Sequence, residues 1–413
     1  MRRAEACGIS LTNQPYSFIE EHCTADFVEA FLPYAMNDPH SLLAQMVSIP
    51  LRWLRQRDLE RYRRVGIEAA SHKNAFLAYG AANAVSYGPN LNEPLAEDAA
   101  ILRELVKHPS PLVRHLTFTG IRRLGHADAY EPAAIEMLLG SEIGDDERMA
   151  EEMCGAVDYA GIKKEHLSEA QIRQLLDKLV ATKSIEDHHI GRFLAWVGDH
   201  FPPALFEFTL RRLDRDAEIE NGNDKIVGYT PIPHSRFGNA FRPLQNGPEY
   251  QHFLEQVAAR LTTQPKQFFW LRGLFWEIGS IDATTLGVID GLLHRDDKDF
   301  VRGALQLLEG APPELALRHP VFAIHVIEES RRADRQLGTA AESILVGNTQ
   351  MGAFNRTPGQ PSPKYASLKE RSEALRDHFA PGSTGHRLFT RICDGAVAWL
   401  DHERLQDEEM NFE

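Results

Sequence analysis

Apolar residues in this chain recur at spacings of three and four, the interval that places them on one face of a helix. Val113, Leu116, Phe118, Ile121 and Leu124 precede Gly125 in this way. Met149, Met153, Val157 and Ala160 precede Gly161, and Ile190, Phe193, Leu194 and Val197 precede Gly198. Gly88 closes a similar phrase, so the four glycines are separated by 37, 36 and 37 residues. A fixed period of that size marks stacked repeats, each a unit that cannot bury its apolar face alone. A glycine just past the last apolar residue suits a helix C-cap, where positive φ carries no Cβ penalty. These glycines are therefore expected at equivalent helix ends in that conformation. Residues 96–108, 131–140 and 168–181 read as the second helix of each period, and Ser168 with Gln171 three residues later reads as a capping box.

The expected fold is all-α, an α-solenoid of antiparallel helix pairs with a long irregular insertion. Residues 1–70 form an N-terminal helical cap, with two or three helices over 24–36 and 42–70. Residues 71–213 hold the regular repeats. Residues 214–250 lose helical periodicity and gather glycine and proline, so they read as a loop insertion. Helical signals return over 251–345, with helices at 249–261, 267–279, 295–310 and 319–333. Gly279 lies 81 residues after Gly198, about two periods. Residues 346–413 form a loop and a C-terminal helical cap, with helices at 367–379 and 386–406.

The stretch 108–125, HPSPLVRHLTFTGIRRLG, resembles the second half of a HEAT repeat. In that family a turn with proline or aspartate leads into a helix that opens Val-Arg and ends Leu-Gly. Here His108, Pro109 and Pro111 occupy the turn, with Val113, Arg114, Leu124 and Gly125 in the remaining places. Asp296, Asp297, Val301 and Arg302 repeat the theme. The middle repeats keep the spacing and lose the Val-Arg, and the resemblance covers residues 70–310. It implies an armadillo/HEAT-type array, an architecture that serves many jobs. The layout also resembles irregular helical arrays that sit behind nucleotide-hydrolysing modules in some bacterial signalling and defence proteins, although this chain has no nucleotide motif.

Composition narrows the function. Of 413 residues 43% are hydrophobic and 25% charged, the balance of a folded protein, and the net charge is −14. An acidic surface repels phosphate backbones, which argues against general nucleic-acid coating. The four cysteines, Cys7, Cys23, Cys154 and Cys393, form no CxxC pair, so neither zinc ligation nor a disulfide framework is indicated. With no signal-peptide pattern and no apolar run of about 18 residues, a cytoplasmic location without membrane contact is expected. GxxxxGK[ST], GxGxxG, HExxH and GxSxG are all absent. No catalytic residue, cofactor or bound metal is expected, and the reading leans away from an enzyme.

Several clusters remain as candidates. Arg52, Arg55, Arg57, Arg61, Arg63 and Arg64, read as one helix over 52–64, could bind phosphate or an acidic partner, with Trp53 and Tyr62 stacking on bases. They could equally form a solvated face. His188 and His189 are adjacent and diverge on a helix, which favours a helix start over a metal site. Asp214, Asp216, Glu218 and Glu220 could share a cation or simply be solvated. Phe268, Phe269, Trp270, Phe275 and Trp276 cover almost all faces of one helix and read as core. Tyr229, His234, Arg236, Phe237, Phe241 and Arg242 combine aromatics and cations as interface anchors do. The leading functional expectation is a non-enzymatic scaffold or sensor module that binds a protein partner, with this insertion on its working face. The alternative is a nucleic-acid-binding HEAT-like protein of the DNA-repair glycosylase type, using the arginine cluster.

Overall fold

A computed structural model of the chain describes residues 23–37, 42–87, 93–158, 161–222, 226–233, 245, 247–295, 297–351 and 360–410. Those residues contain 20 α-helices and no strand. The chain divides into two compact units, residues 1–235 and 236–413.

In the first unit the helices are α1 (Ala25–Asn37), α2 (Ser48–Arg57), α3 (Leu59–Ala70), α4 (Ala75–Ser86), α5 (Ala96–Leu105), α6 (Pro111–Gly125), α7 (Glu131–Gly140), α8 (Glu147–Asp158), α9 (Glu169–Leu179), α10 (His188–His200) and α11 (Pro202–Glu220). The sequence explains many of their starts. Ser168 accepts from the Gln171 amide while the Gln171 side chain accepts from the Ser168 amide, so the capping box anticipated ahead of α9 is present. Asp187 accepts from the amides of His189 and Ile190, which makes the His-His pair the opening of α10. Pro202 sits in the first turn of α11, where its missing N–H loses nothing and where it stops α10 one residue earlier. Helices pack both on their chain neighbours and on the second helix further along the chain. α4 packs on α6, α6 on α8 and α8 on α10, while α3 packs on α5, α5 on α7, α7 on α9 and α9 on α11.

The second unit contains α12 (Tyr250–Thr263), α13 (Phe268–Ile278), α14 (Ala283–Leu293), α15 (Lys298–Leu308), α16 (Leu315–Arg318), α17 (Pro320–Ala333), α18 (Arg335–Gln350), α19 (Pro363–Arg376) and α20 (Thr384–Met410). α12 packs on α14, α14 on α17 and α15 on α18, and α19 lies along α20. In both units polar bonds between helices recur at a separation of about one period. Tyr62 bonds to Asp98 and His108 to the His72 carbonyl, each 36 residues away. Lys178 bonds to the Ser141 carbonyl at a separation of 37 and Lys298 to Asp334 at 36.

Three expectations from sequence change. The 52–64 segment is not one helix: the chain turns at Asp58, whose carboxylate accepts the Arg61 amide at 3.0 Å and starts α3. α11 does not end at residue 213 but runs through Glu220, because an i,i+3 pair between Arg215 and Glu218 suits a solvated helix after the last buried residue. α14 and α18 were not anticipated. The first carries Gly287 and Gly291, the second Gly338 and Gly347, and interior glycine weakens a helical pattern.

The periodic glycines hold a different role from the one expected. Gly88 lies outside the described residues. Gly125 is the last residue of α6, Gly161 follows α8, and Gly198 lies inside α10. Among the described residues the glycines with positive φ are Gly144, Gly222, Gly228 and Gly382, so none of these three has the left-handed backbone. What Gly125 and Gly161 supply is close approach. A Cβ on Gly125 would lie 2.6 Å from Ile162 Cγ1 and 3.0 Å from the Ile162 nitrogen. A Cβ on Gly161 would lie 2.3 Å from the Ala156 carbonyl oxygen and 2.7 Å from Arg122 Cγ. The two glycines thus face one junction from opposite sides, the end of α6 against the turn after α8.

Gly125→Ala is accordingly expected to destabilise the protein by about 1–3 kcal/mol through overpacking, not through backbone strain. Chemical denaturation of Gly125→Ala alone and in an Ile162→Ala background checks this. The penalty should shrink in the second background, because the Ile162 side chain is part of the obstacle. An equal penalty in both would return the cause to the backbone.

Candidate functional site

The arginine cluster is split between the interior and the surface. Asp98, on the first turn of α5, is fully buried and collects partners from three other helices. Arg55 of α2 donates from Nη2 to Asp98 Oδ2 at 2.7 Å and from Nε to Oδ1 at 3.0 Å. Tyr62 of α3 donates its hydroxyl to Oδ1 at 2.7 Å, and Arg123 of α6 reaches Oδ2 at 3.0 Å. The Leu95 amide also donates to Oδ2, at 3.0 Å. Burial raises the Asp98 carboxyl pKa, but the bonds and charges of Arg55 and Arg123 outweigh it and hold it below the usual range. Burial, with the Asp98 charge, pushes Tyr62 well above its own.

The other arginines divide. Arg52 donates to Asn83 Oδ1 at 2.6 Å, and Arg61 pairs with Glu29. Arg57 lies over the Trp53 ring at 4.7 Å, and Arg63 and Arg64 are exposed. Tyr62 is fully buried and unavailable for stacking on a base. Only Arg57, Arg63 and Arg64 of the six therefore present a largely open charge to solvent.

Of the insertion residues, His234, Arg236, Phe237, Phe241 and Arg242 lie outside the described residues. Tyr229 is described, and it faces the protein. Its hydroxyl donates to the Val180 carbonyl at 2.7 Å, and its ring covers Arg212 with the guanidinium carbon 4.6 Å from the centroid. Arg212, on α11, is completely buried. It donates to the carbonyls of Leu179, Val180 and Thr182 at 2.6, 3.2 and 2.9 Å, and to those of Thr230 and Pro231 at 2.6 and 2.9 Å. The last carbonyls of α9 have no intrahelical partner and carry the negative end of its dipole, so a cation there is favoured. Burial lowers the Arg212 pKa to about 10, which keeps the charge at neutral pH. The Tyr229 phenol is raised to about 12, again by burial. Residues 226–233 are thus fastened to the end of α9.

Two further candidates remain, and the aromatic run departs from its expected core role. The acidic run from Asp214 to Glu220 is the solvated end of α11. In the aromatic run, Phe275 is fully buried and Trp276 donates to the Leu307 carbonyl at 2.7 Å, but Phe268 and Phe269 are exposed, with Arg272 5.8 Å from each ring.

One cluster had no signal in the sequence reading. Asp290 of α14, His294 at the C-terminal end of that helix and His325 of α17 place ligand-type atoms within 4.8 Å of one another. They were overlooked because α14 was not anticipated, which left Asp290 and His294 without a shared face.

No protein-family model matches the chain, and no curated protein matches it. Among solved structures it is similar to a crystal structure described as an engineered protein, at 14% identity over 94% of this chain and 99% of that one. The TM-score is 0.32, too low to carry an argument about fold or function.

Two outcomes follow from this geometry. Because the folded-state pKa of Asp98 is lowered, its contribution to stability is complete above the ordinary aspartate value of about 3.9 and is lost as pH falls through the folded value. Asp98→Asn is expected to cost about 3 kcal/mol at neutral pH, since it leaves Arg55 buried without its anion. Urea unfolding from pH 7 to pH 3 should show the gap between wild type and variant narrowing only below about pH 4. Arg212→Ala leaves buried carbonyls without donors and is expected to cost on the order of 3 kcal/mol. It should also expose residues 221–233 to limited proteolysis under conditions where the wild type resists.

Proposed function

We propose that this chain is a non-enzymatic, HEAT-like α-solenoid scaffold that binds a protein partner. The observation that carries the reading is the recurrence of helix-to-helix contacts and polar bonds about one period apart in both units. Helix pairs that close only on their neighbours form an extended surface, which suits recognition of another protein. The rest of the insertion, with Arg236, Phe237, Phe241 and Arg242, carries the residue types that anchor interfaces. The nucleic-acid alternative loses ground, because Arg55 and Arg61 pair with carboxylates, Arg52 bonds to Asn83, and Tyr62 is inside the core.

The experiment must respect the fastening of residues 226–233. Replacing 234–244 with a Gly/Ser linker of equal length keeps the carbonyls of Thr230 and Pro231 on Arg212. Helicity and melting temperature should be unchanged, while affinity capture with mass spectrometry, run with and without nuclease, should lose partners that the wild type retains. A folded variant that still retains every partner places the binding surface elsewhere. Capture that depends on nucleic acid favours the alternative.

A further inference from the structure

We propose that Asp290, His294 and His325 form a binding site for a first-row transition-metal dication, with zinc the best match. Asp290 and His294 are four residues apart, so one turn of helix stacks them on the same face. α17 packs against α14 and brings His325 to that face. His325 Nε2 lies 2.8 Å from Asp290 Oδ1, and His294 Nδ1 lies 3.4 Å from the same oxygen. The two imidazole rings are 5.3 Å apart, centroid to centroid. Tetrahedral ligands bound at about 2.1 Å stand about 3.4 Å from one another, so small side-chain adjustments turn this arrangement into a coordination shell.

The surroundings of His325 separate this cluster from an incidental surface pair. Its Nε2 faces Asp290, and its other ring nitrogen faces the Glu329 carboxylate at 3.8 Å. Glu329 is one turn further along α17 and only 9% exposed, and Arg332 holds its other oxygen at 2.6 Å. A ligating histidine characteristically directs its second nitrogen to a carboxylate, which fixes the tautomer and orients the ring. The positions Asp290 and His294 on one helix and His325 and Glu329 on the other therefore supply three ligands and an orienting group.

Ligand chemistry selects the ion. Two imidazoles with one carboxylate suit zinc, iron, cobalt or nickel and disfavour magnesium and calcium, which take oxygen. Three protein ligands leave a coordination position for water or another donor. A cleft lined in part by His294, Asp297, Lys298 and Glu329 adjoins the cluster. His294 is half-exposed at the helix end, and its Nδ1 bonds to the Asp290 carbonyl at 3.0 Å, a bond that coordination would replace.

Calorimetric titration of the chelator-stripped full chain with zinc chloride tests the proposal, with cobalt(II) as a spectroscopic probe. The wild type should bind one zinc per chain and give a visible cobalt spectrum. The His294→Ala/His325→Ala double variant should bind at least tenfold more weakly and lose that spectrum, while the circular dichroism of the metal-free protein is unchanged. His294→Gln, at the exposed helix end, tests the same point without touching the packed interface. Glu329→Gln should weaken binding by about 10–100-fold. Absence of zinc binding in the wild type, or undiminished binding in the double variant, overturns the site. Undiminished binding in Glu329→Gln overturns the orienting role of that carboxylate.

Discussion

A pair of short helices cannot cover its own apolar faces, and the internal order of both units follows from that constraint. In the first unit α4 packs on α6, α6 on α8 and α8 on α10, so the apolar face of one helix is covered by helices further along the chain. The polar groups obey the same rule. Donors find acceptors about 36 residues along the chain, as Lys178 finds the Ser141 carbonyl and Lys298 finds Asp334. Where the end of α6 meets the turn after α8, side-chain volume is the limit, and the chain meets it with glycines at 125 and 161.

Charge inside such an array is tolerated only where it is surrounded. Asp98 has two arginines, a phenol and a backbone amide about it, so four helices converge on one carboxylate. Arg212 solves the opposite problem with no carboxylate at all, by collecting carbonyl dipoles from a helix end and a returning strand of chain. These two groups show why the arginine content of a segment is a poor guide to its surface. Arg55 and Arg212 look like candidates for solvent or for a partner when read in sequence, yet both are internal.

Much of the helical layout was legible beforehand, because amphipathic spacing and caps are local. α7 falls on 131–140 as expected, and Ser168, Asp187 and Pro202 mark real helix starts. The glycine period was visible too, but its cause was not, since a close approach to Ile162 is a contact between elements that sequence spacing does not display. α14 shows the limit most plainly. Its buried residues share one face, but the opposite face carries small residues and two glycines with a single charge, so both amphipathic contrast and propensity are weak. Its loss hid Asp290 and His294, and the third member, His325, needed the packing of α17 to reach them.

The hydrogen bonds of Arg212 all go to main chain. Every amino acid presents a carbonyl, so the clamp makes no demand on which side chains stand at 179, 180, 182, 230 and 231, whereas no other side chain reproduces the forked donor set at 212. A joint of this kind lets its neighbours mutate without loosening. Over long divergence it would preserve the path of the backbone while erasing the spelling that produced it, leaving one arginine as the trace.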